Sequence, residues 1–593
     1  MNLTEQIQAG LATALRQEFG IEISPAELLL QPTKKEFEGF YTFVCFPYAK
    51  QLKKSPVEIG TQLGEYLLAQ VPAVSAYNVV QGFLNLSIAD DIWLELFAAI
   101  LADTQYGQRP PKGIRVMVEY SSPNTNKPLH LGHLRNNFLG YSVAEILKMS
   151  GYEVMKTNVI NNRGIHICKS MLAYRLFGNG ETPESSGIKG DHLAGKYYVA
   201  FDKAYKEQIG GLVAAGMEKE KAEKEAPLIK EAEAMLIQWE QGDPEVIALW
   251  EKMNSWVYAG FDETYRTMGV NFDKIYYESD TYLLGKDIIE EGLAKGVFYR
   301  RPDNSVWIDL TADGLDEKLV LRSNGTSVYI TQDLGLADLK AQDFPMQKSV
   351  YVVGNEQDYH FKVLFLIMQK LGRPYAAGLY HLSYGMVDLP SGKMKSREGT
   401  VVDADDLMQE MKETAEAMTR ELGKIDGFTS EEADALYHNL AMGALKYFLL
   451  KVDPKKRMLF NPQESVDFQG NTGPYIQYNH ARICSILRKA EQLGVAPAVP
   501  SKAALQPTER DLIFTLSQFP QRVEEAAVQY SPSLISQYVY DLAKTYSQFF
   551  SEVPIFAEED PALKQFRVAL SQKVAEVIRR AMGLIGVTAP ERM

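Results

Sequence analysis

Residues 119–140 read EYSSPNTNKPLHLGHLRNNFLG, and this stretch decides the fold of the central part of the chain. The apolar run at 114–118 predicts a strand, and residues 131–149 have the apolar spacing of a helix. Another strand pattern at 152–160 completes a strand–helix–strand unit of the kind that builds parallel sheets. We therefore expect a parallel sheet in which the Ser-, Pro- and Asn-rich loop lies at the carboxyl end of a strand, where such sheets bind ligands.

Two histidines, His130 and His133, stand at the predicted start of that helix with Gly132 between them. The N-terminus of a helix suits an anion, because it carries partial positive charge and free N–H groups. Imidazoles there can donate to phosphate oxygens as charge develops, and Gly132 leaves space for a flat ring such as adenine. The same four residues also fit a metal pair or simple helix caps, so the motif alone leaves three interpretations open.

Composition places the chain among ordinary globular proteins. Its 593 residues are 46% hydrophobic and 23% charged, enough for about three to five domains. Cys45, Cys168 and Cys484 lie far apart, which argues against a disulfide framework or a zinc site. The N-terminal pattern is not that of a secretory leader and no apolar run reaches ~18 residues, so we expect a cytoplasmic protein without a membrane segment. The net charge of −14 argues against a nonspecific nucleic-acid coat but allows local basic patches.

Changes of pattern along the chain predict three regions. Residues 1–110 form a small α/β domain that ends near a Pro-Pro pair. Residues 111–405 contain the sheet, interrupted at about 180–260 by a Glu-, Lys- and Ala-rich helical insertion. Residues 406–593 are almost entirely helical in pattern. Outside the unit around 114–160, strands are predicted at 79–88, 305–310, 327–331, 349–353 and 379–384, and a helix at 358–371.

A second motif, GKMKSREGT at 392–400, follows the last predicted strand. Its two glycines bracket three cations and the hydroxyl of Ser396. A cationic loop of this kind can close on a polyphosphate and neutralise charge as it leaves. Lys-rich turns are usually solvated, so this motif is also weak alone. The two motifs together indicate a nucleotide site built from both halves of the sheet.

The pair of motifs resembles the HIGH and KMSKS motifs that clamp ATP in class I aminoacyl-tRNA synthetases. The second motif departs from that pattern, since Ser396 replaces the fourth-position lysine and Arg397 takes the fifth position. This departure is familiar in arginyl-tRNA synthetases, which the chain resembles over essentially its whole length. The blocks that carry the resemblance are EYSSPN before Lys127-Pro128, SNGTSVYITQD at 323–333, GNEQDYH at 354–360, NTGPYIQY at 471–478 and APERM at 589–593.

The resemblance implies an α/β fold: a Rossmann-type parallel-sheet catalytic domain with a helical insertion, a small N-terminal α/β domain and a C-terminal all-α helical bundle. It also implies ATP-dependent attachment of L-arginine to tRNA(Arg) through an arginyl-adenylate, with release of pyrophosphate and AMP. Mg²⁺ is expected with ATP, bound through phosphate and water rather than a protein cage. Catalytic roles are implied for His130, His133, Lys127, Lys393 and Arg397, and further ATP contacts for Asn126, Gly132, Met386, Met394 and Ser396.

The chemistry of arginine suits a second group of residues. A guanidinium is planar, permanently charged and rich in donors, so a selective pocket should offer carboxylates and an aromatic ring. Glu119 and Asp333 are the expected carboxylates, with Tyr329 beside them, and Asn124 and Gln357 would orient the α-amino and α-carboxylate groups. Without the resemblance, Asp333 could simply be a helix N-terminal residue and Glu119 a sheet-edge residue.

The expected tRNA contacts lie at both ends of the chain. Tyr475, Tyr478 and Arg482 offer stacking and hydrogen bonds for anticodon bases. Phe549 and Phe550 are predicted to be core residues. The resemblance also places Phe83 and Asn85 on the tRNA, implies a monomer, and indicates that tRNA takes part in activation. Two alternatives remain at this point: a catalytically impaired tRNA-binding relative, or another nucleotidyl transferase of the same fold.

Overall fold

The structure is a computed structural model that describes residues 3–34, 36–388, 402–421, 423 and 427–593. The second motif, with the predicted site residues Lys393, Met394, Ser396 and Arg397, lies outside the described residues. The expected fold class is confirmed by the arrangement of sheets and helices. None of the described helices combines the length and apolar character needed to cross a membrane.

The N-terminal region is a four-stranded antiparallel sheet, in the order β1-β2-β4-β3, covered by helices. Ser55 caps its longest internal helix through a reciprocal pair of hydrogen bonds with Glu58. The elements are α1 (Leu3–Phe19), a 3-10 turn (Pro25–Glu27), β1 (Leu30–Pro32), β2 (Tyr41–Val44), α2 (Phe46–Leu52), α3 (Pro56–Gln70), β3 (Val74–Val80), β4 (Phe83–Ile88) and α4 (Asp90–Ala102).

The single strand predicted at 79–88 is wrong, because the chain reverses inside it. Gln81 and Gly82 both have positive φ, 51° and 91°, and Val80 pairs with Phe83 across this two-residue turn. Two successive positive φ angles are the geometry that joins neighbouring antiparallel strands most tightly. The Gln-Gly pair is a weaker turn signal than Asn-Gly, and the apolar run on both sides of it hid the turn.

The central region contains a five-stranded sheet in the order β12-β11-β5-β6-β7, in which every pairing is parallel. A separate antiparallel sheet, β10-β9-β8, stands outside it. The first elements are β5 (Arg115–Glu119), α5 (Leu131–Met149), β6 (Glu153–Ile160), α6 (Ile165–Phe177), α7 (Pro183–Ser186), α8 (Gly190–Ala214), α9 (Lys219–Glu225), α10 (Pro227–Glu240), α11 (Pro244–Met268) and β7 (Lys274–Tyr277). The others are α12 (Glu278–Thr281), α13 (Lys286–Ala294), β8 (Tyr299–Arg300), β9 (Val306–Ile308), a 3-10 turn (Thr311–Asp313), β10 (Lys318–Leu321), α14 (Tyr329–Asp343), β11 (Lys348–Gly354), a 3-10 turn (Asn355–Gln357), α15 (Asp358–Lys370), a 3-10 turn (Ala376–Gly378), β12 (Leu379–Tyr384) and β13 (Val387–Asp388).

Strand β5 has β6 on one side and β11 on the other, and the first connection runs through α5. The strand order therefore reverses at β5, which makes its carboxyl end the expected ligand crevice. Helix α5 lies very close to the chain just after this strand: a Cβ at Gly140 would stand 2.3 Å from the Tyr120 ring. The glycine allows the helix to pack directly over the end of β5.

Two strand expectations in this region need correction, and one strand was missed. The segment 305–310 contains β9, but β9 belongs to the small antiparallel sheet. The segment 327–331 enters helix α14, where the Thr331 hydroxyl accepts the N–H of Val328 at 3.4 Å and so begins the helix. Strand β7, which completes the sheet, was not predicted, because four residues between a long helix and an acidic turn give little alternation.

The C-terminal region is helical, as expected, and supports both other regions. Its apolar core is continuous with that of the N-terminal sheet, where the Trp93 and Phe514 rings meet at 6.2 Å, and Arg510 pairs with Asp90 at 2.6 Å. Its elements are α16 (Ala404–Glu421), α17 (Ser430–Leu450), β14 (Met458–Leu459), α18 (Pro462–Ser465), α19 (Gly473–Gln492), α20 (Pro507–Ser517), α21 (Phe519–Gln529), α22 (Ser533–Glu552) and α23 (Pro561–Leu584).

Candidate active site

The loop after β5 begins with two strained residues. Ser121 and Ser122 have φ angles of 78° and 48°, in the left-handed region that residues with a Cβ rarely adopt. Their N–H groups donate to Asn136 Oδ1 at 2.6 Å and Asn158 Oδ1 at 2.9 Å. These amides, from α5 and β6, hold the chain in a conformation it would otherwise leave. Strain held by surrounding structure is typical of functional sites.

Beyond that kink the loop pairs again with the end of β6. The N–H of Thr125 donates to the carbonyl of Asn161 at 3.1 Å, and the N–H of Asn161 donates to Pro123 at 2.9 Å. Asn124 is exposed, whereas Asn126 is buried. The Oδ1 of Asn126 and the Oγ1 of Thr125 are buried without a hydrogen-bond partner among the described residues. Buried polar atoms of this kind are normally satisfied, so this part of the loop has the polar groups of a ligand site.

His130 and His133 close the N-terminus of α5 through their own side chains. The Nδ1 of His130 accepts the N–H of Gly132 at 3.1 Å, and the Nδ1 of His133 accepts the N–H of His130 at 3.2 Å. Each neutral ring therefore carries its proton on Nε2 and can donate it. The metal-pair interpretation is disfavoured, because neither ring keeps a free lone pair. Gly132 is required by this arrangement, since a Cβ there would lie 2.9 Å from the His130 ring.

The electrostatics keep both imidazoles neutral. Burial, together with the charge of Lys127, lowers the pKa of His130 to about 4. Burial, the neighbouring His130 and Lys127 lower the pKa of His133 well below its usual value. Lys127 is therefore close enough to act on both rings. The predicted phosphate residues form one group in which a cation stands beside two neutral N–H donors.

Residues 402–404, which follow the second motif, lie directly beside this group. The N–H of Leu131 donates to the carbonyl of Val402 at 2.9 Å, and Ala404 donates to Leu129 at 3.0 Å. A β-bridge joins His130 to Asp403. Val402 follows Arg397 by only five residues in the sequence, and it contacts the residue next to His130.

Arg135, on the next turn of α5, was missed in the sequence and organises the other side of this group. Its guanidinium is 1% exposed and donates to five backbone carbonyls. Two belong to Gly385 and Met386 and the others to the loop at 453–456. Met386, a predicted ATP contact, is half-exposed beside it. Arg135 therefore fixes the segment that precedes the second motif relative to the histidines.

The predicted arginine ligands lie near the carboxyl edge of the same sheet. Each of the two carboxylates has a cationic or histidine partner. Glu119, at the end of β5, is buried and forms an ion pair with Lys340 of α14. Asp333, two turns earlier on the same helix, accepts from His360 at 2.6 Å. Burial, and then the charges of Glu119 and Asp333, raise the pKa of Tyr351. Both carboxylates therefore lie near one buried tyrosine of β11.

The other predicted arginine ligands are more open. Tyr329 begins α14, one turn before Asp333, and is 78% exposed. Gln357 is exposed in the 3-10 turn after β11, at the same edge of the sheet. Lys340, His360 and Arg135 were not predicted. Helical spacing could have placed Lys340 on the face of Asp333, but no sequence signal links it to Glu119.

Among the described residues, one group has the spacing of metal ligands: Asp191, His192 and Asp405. The ammonium of Lys189 already lies between its carboxylates, 2.6 Å from Asp405 and 3.3 Å from Asp191. Because this lysine supplies the positive charge, the group is an ion-pair network that joins the insertion to the start of α16.

The predicted anticodon residues come together on α19. The guanidinium of Arg482 lies 5.6 Å from the Tyr478 ring and 4.9 Å from the Phe550 ring, and the Tyr475 ring lies 5.8 Å from Tyr540. The core prediction for Phe549 is confirmed, but that for Phe550 is wrong, because Phe550 is 40% exposed on the outer side of α22. The result is a surface of aromatic rings around one arginine.

The N-terminal residues proposed for tRNA differ in exposure. Phe83 packs edge-on against Phe46, itself 46% exposed, at 5.3 Å beside the hairpin turn. Asn85 is 1% exposed, and its amide bonds Thr42 at 2.6 Å and Asn78 at 2.9 Å. The predicted tRNA contact of Asn85 stays a prediction, and its side chain has a structural role in the sheet.

Comparisons with known proteins agree with this geometry. Residues 95–461 match the family described as tRNA synthetases class I (R), catalytic domain. Residues 476–593 match the DALR anticodon binding domain, and residues 2–88 match the arginyl tRNA synthetase N terminal domain. The chain is 58% identical to the arginine–tRNA ligase of Amoebophilus asiaticus and 56% identical to that of Bacteroides thetaiotaomicron, over 100% of each chain.

A solved structure gives the same result. The Thermus thermophilus arginyl-tRNA synthetase superimposes with a TM-score of 0.79 over 100% of both chains, at 27% identity. The match in sequence covers the full length of the chain and includes the same three regions. The catalytic and the RNA-binding regions therefore belong to one family. This chain belongs to the arginyl-tRNA synthetase family.

Proposed function

We propose that this protein attaches L-arginine to tRNA(Arg) in two steps, the first of which consumes ATP. The arginine carboxylate attacks the α-phosphorus of ATP, the bond to the β-phosphate oxygen breaks, and pyrophosphate leaves with that electron pair. The arginyl group then passes to a ribose hydroxyl of the tRNA, and AMP is released. The observation that carries the proposal is the neutral histidine pair at the N-terminus of α5, in the same sheet region as the carboxylates of Glu119 and Asp333.

The phosphate chemistry needs donors that act most strongly in the transition state. His130 and His133 would donate their Nε2 protons to phosphate oxygens as negative charge develops. Neutral donors bind an incoming phosphate weakly and a more highly charged transition state more strongly, which favours rate over ground-state affinity. Asn126 has a buried oxygen without a hydrogen-bond partner among the described residues, which would accept from the adenine amino group, and Gly132 and Met386 would line the same region.

Cations would neutralise the departing pyrophosphate. Lys127 acts on both histidines electrostatically, so its ammonium is available to the same phosphates. Lys393, Met394, Ser396 and Arg397 are proposed from the sequence motif, with Lys393 and Arg397 holding the pyrophosphate. Mg²⁺ would accompany ATP and be bound mainly through phosphate and water.

The amino-acid pocket would select a guanidinium. Glu119 and Asp333 would accept its N–H donors with Tyr329 against the planar group, while Asn124 and Gln357 orient the α-amino and α-carboxylate groups. Lysine lacks the planar fork of donors, and citrulline lacks the positive charge that would balance the second carboxylate. The surface around Tyr475, Tyr478 and Arg482 would stack and bind anticodon bases, and Phe83 would contact the tRNA body. We propose a cytoplasmic monomer, as the family resemblance implies.

The decisive experiment measures two reactions on the same preparation. We expect arginine-dependent exchange of pyrophosphate into ATP and attachment of arginine to tRNA, with no attachment of lysine, glutamine or citrulline. Exchange measured with and without tRNA tests whether tRNA takes part in activation. Exchange without attachment would identify another nucleotidyl transferase, and tRNA binding without either reaction would identify an impaired relative. Either result would overturn the proposal.

A further inference from the structure

Lys340 is a buried cation at the base of the proposed arginine pocket. It is 1% exposed, on the face of α14 that packs against the sheet. Its ammonium lies 5.1 Å from the Tyr351 ring and 5.8 Å from the Tyr276 ring, so its surroundings are mainly aromatic. Within the described part of the chain, the carboxylate that pairs with it is that of Glu119. A lysine this deeply buried needs such a partner to remain charged.

The dependence is mutual. The Glu119 side chain is 10% exposed, and its Oε2 accepts from Lys340. Removing one member of a buried ion pair leaves the other charge uncompensated, which costs far more than replacing both members. Lys340 therefore fixes the orientation of the Glu119 carboxylate, while Oε1 has no hydrogen bond to any described residue. An ionised carboxylate with one oxygen engaged still offers the other oxygen to a ligand.

Lys340 also sets the charge of the pocket. Glu119 and Asp333 supply two negative charges and Lys340 supplies one positive charge, so these three groups sum to one negative charge. One guanidinium balances that sum. A neutral urea group, as in citrulline, would leave that negative charge unbalanced.

We propose that Lys340 is a positioning residue, which fixes the orientation of the Glu119 carboxylate and matches the charge of the pocket to a single guanidinium. The inference rests on the proposed role of Glu119 as a guanidinium ligand. Lys340 itself acts on the substrate through Glu119 rather than by contact.

A double-mutant cycle tests the inference in the full-length protein, with arginine-dependent pyrophosphate exchange as the assay. Glu119→Gln alone leaves the Lys340 ammonium buried, unpaired and facing the guanidinium, so we expect KM for arginine to rise by about 100-fold or more. Glu119→Gln with Lys340→Met removes both charges, and we expect KM to rise only about tenfold, so that the second substitution partly rescues the first.

Lys340→Met alone leaves the Glu119 carboxylate without the partner that fixes its orientation. We expect KM for arginine to rise about tenfold, with kcat and KM for ATP changed less than threefold. Lys370→Met breaks a partly exposed ion pair with Asp313 and is the matched control, with all three constants unchanged.

The outcomes separate the two proposals. If Glu119→Gln left KM for arginine unchanged, Glu119 would not be a ligand and the proposed pocket would be wrong. If Glu119→Gln raised KM but the double variant were no better than the single one, the role of Lys340 would be wrong while the pocket stood. The double variant carries no stranded charge, so the cycle remains informative even if Lys340→Met folds poorly.

Discussion

The phosphate half of the cleft, around His130, and the amino-acid half, around Glu119, are held in shape by different forces. In the phosphate half, imidazole nitrogens accept backbone N–H groups and the rings are neutral. In the amino-acid half, each proposed carboxylate ligand is paired with a cation or histidine of the same chain. Both halves lie at the carboxyl edge of one parallel sheet.

This difference follows from the substrates each half is proposed to bind. The phosphate half must respond to charge that develops during the reaction, so uncharged donors in fixed positions suit it. The amino-acid half must hold a charge that never changes, so it needs carboxylates that are already held in position. The comparison predicts that substitutions in the phosphate half lower kcat, whereas those in the amino-acid half raise KM for arginine.

The largest effect is expected at His133. In His133→Asn, the amide oxygen can still accept the N–H of His130, but the Nε2 donor is lost. We expect kcat for pyrophosphate exchange to fall about 10²–10³-fold, with KM for arginine changed less than threefold. Thermal unfolding should be nearly unchanged, because the helix cap is kept. A rise in KM for arginine with normal kcat would remove the distinction between the two halves.

Asp333→Asn tests the amino-acid half. An amide oxygen accepts a neutral rather than a charge-assisted hydrogen bond from the guanidinium, so KM for arginine should rise about 10–100-fold while kcat stays within about threefold. The matched variant His360→Ala removes the present partner of Asp333 but keeps its charge, and should change KM less than Asp333→Asn does. Equal effects would mean that the Asp333–His360 pair is structural and does not bind arginine.

The sequence predicted these two halves unequally. Helix α5 and strand β12 agree with the predicted segments 131–149 and 379–384, because the amphipathic and apolar patterns there are long. The histidine pair could also be recognised from the sequence, because its function depends on residues that are neighbours in the chain. Arg135 and Lys340 were missed because their partners lie far away in sequence, as backbone carbonyls at 385–386 and 453–456 and as a carboxylate on β5. Tertiary contacts of this kind leave no local pattern.

The strained loop was missed for a related reason. Ser121 and Ser122 have no intrinsic preference for positive φ, and only the amides of Asn136 and Asn158 impose it. Short elements gave the other errors, since β7 and the turn at Gln81-Gly82 are set by their sheet neighbours. The second motif was recognised from sequence and lies outside the described residues.

Lys127→Ala should have a smaller effect than the loss of a histidine donor. We expect kcat for pyrophosphate exchange to fall about tenfold, because one cation near the phosphates is lost while both N–H donors remain. KM for arginine should not change, which keeps Lys127 in the phosphate half. Lys169→Ala, on helix α6 outside the proposed contacts, is the matched control. In the second motif, Ser396 stands where a lysine is usual. Unchanged arginyl-adenylate formation in Lys127→Ala would show that Lys127 does not supply the positive charge missing there.

The smallest effect concerns pH, and its sign follows from the neutral histidines. Burial and Lys127 lower the pKa of His130 to about 4, whereas an unfolded histidine titrates near 6.5. Between these values the unfolded chain binds more protons than the folded one, so this residue makes stability fall as pH falls from about 6.5 to about 4. His130→Asn keeps an N-cap acceptor and removes the titration. The melting temperature of this variant should therefore fall less than that of the wild-type protein between pH 7 and pH 5. An equal fall in both proteins would mean that His130 is not held neutral, and the contrast between a neutral phosphate half and a charged amino-acid half would fail at its central residue.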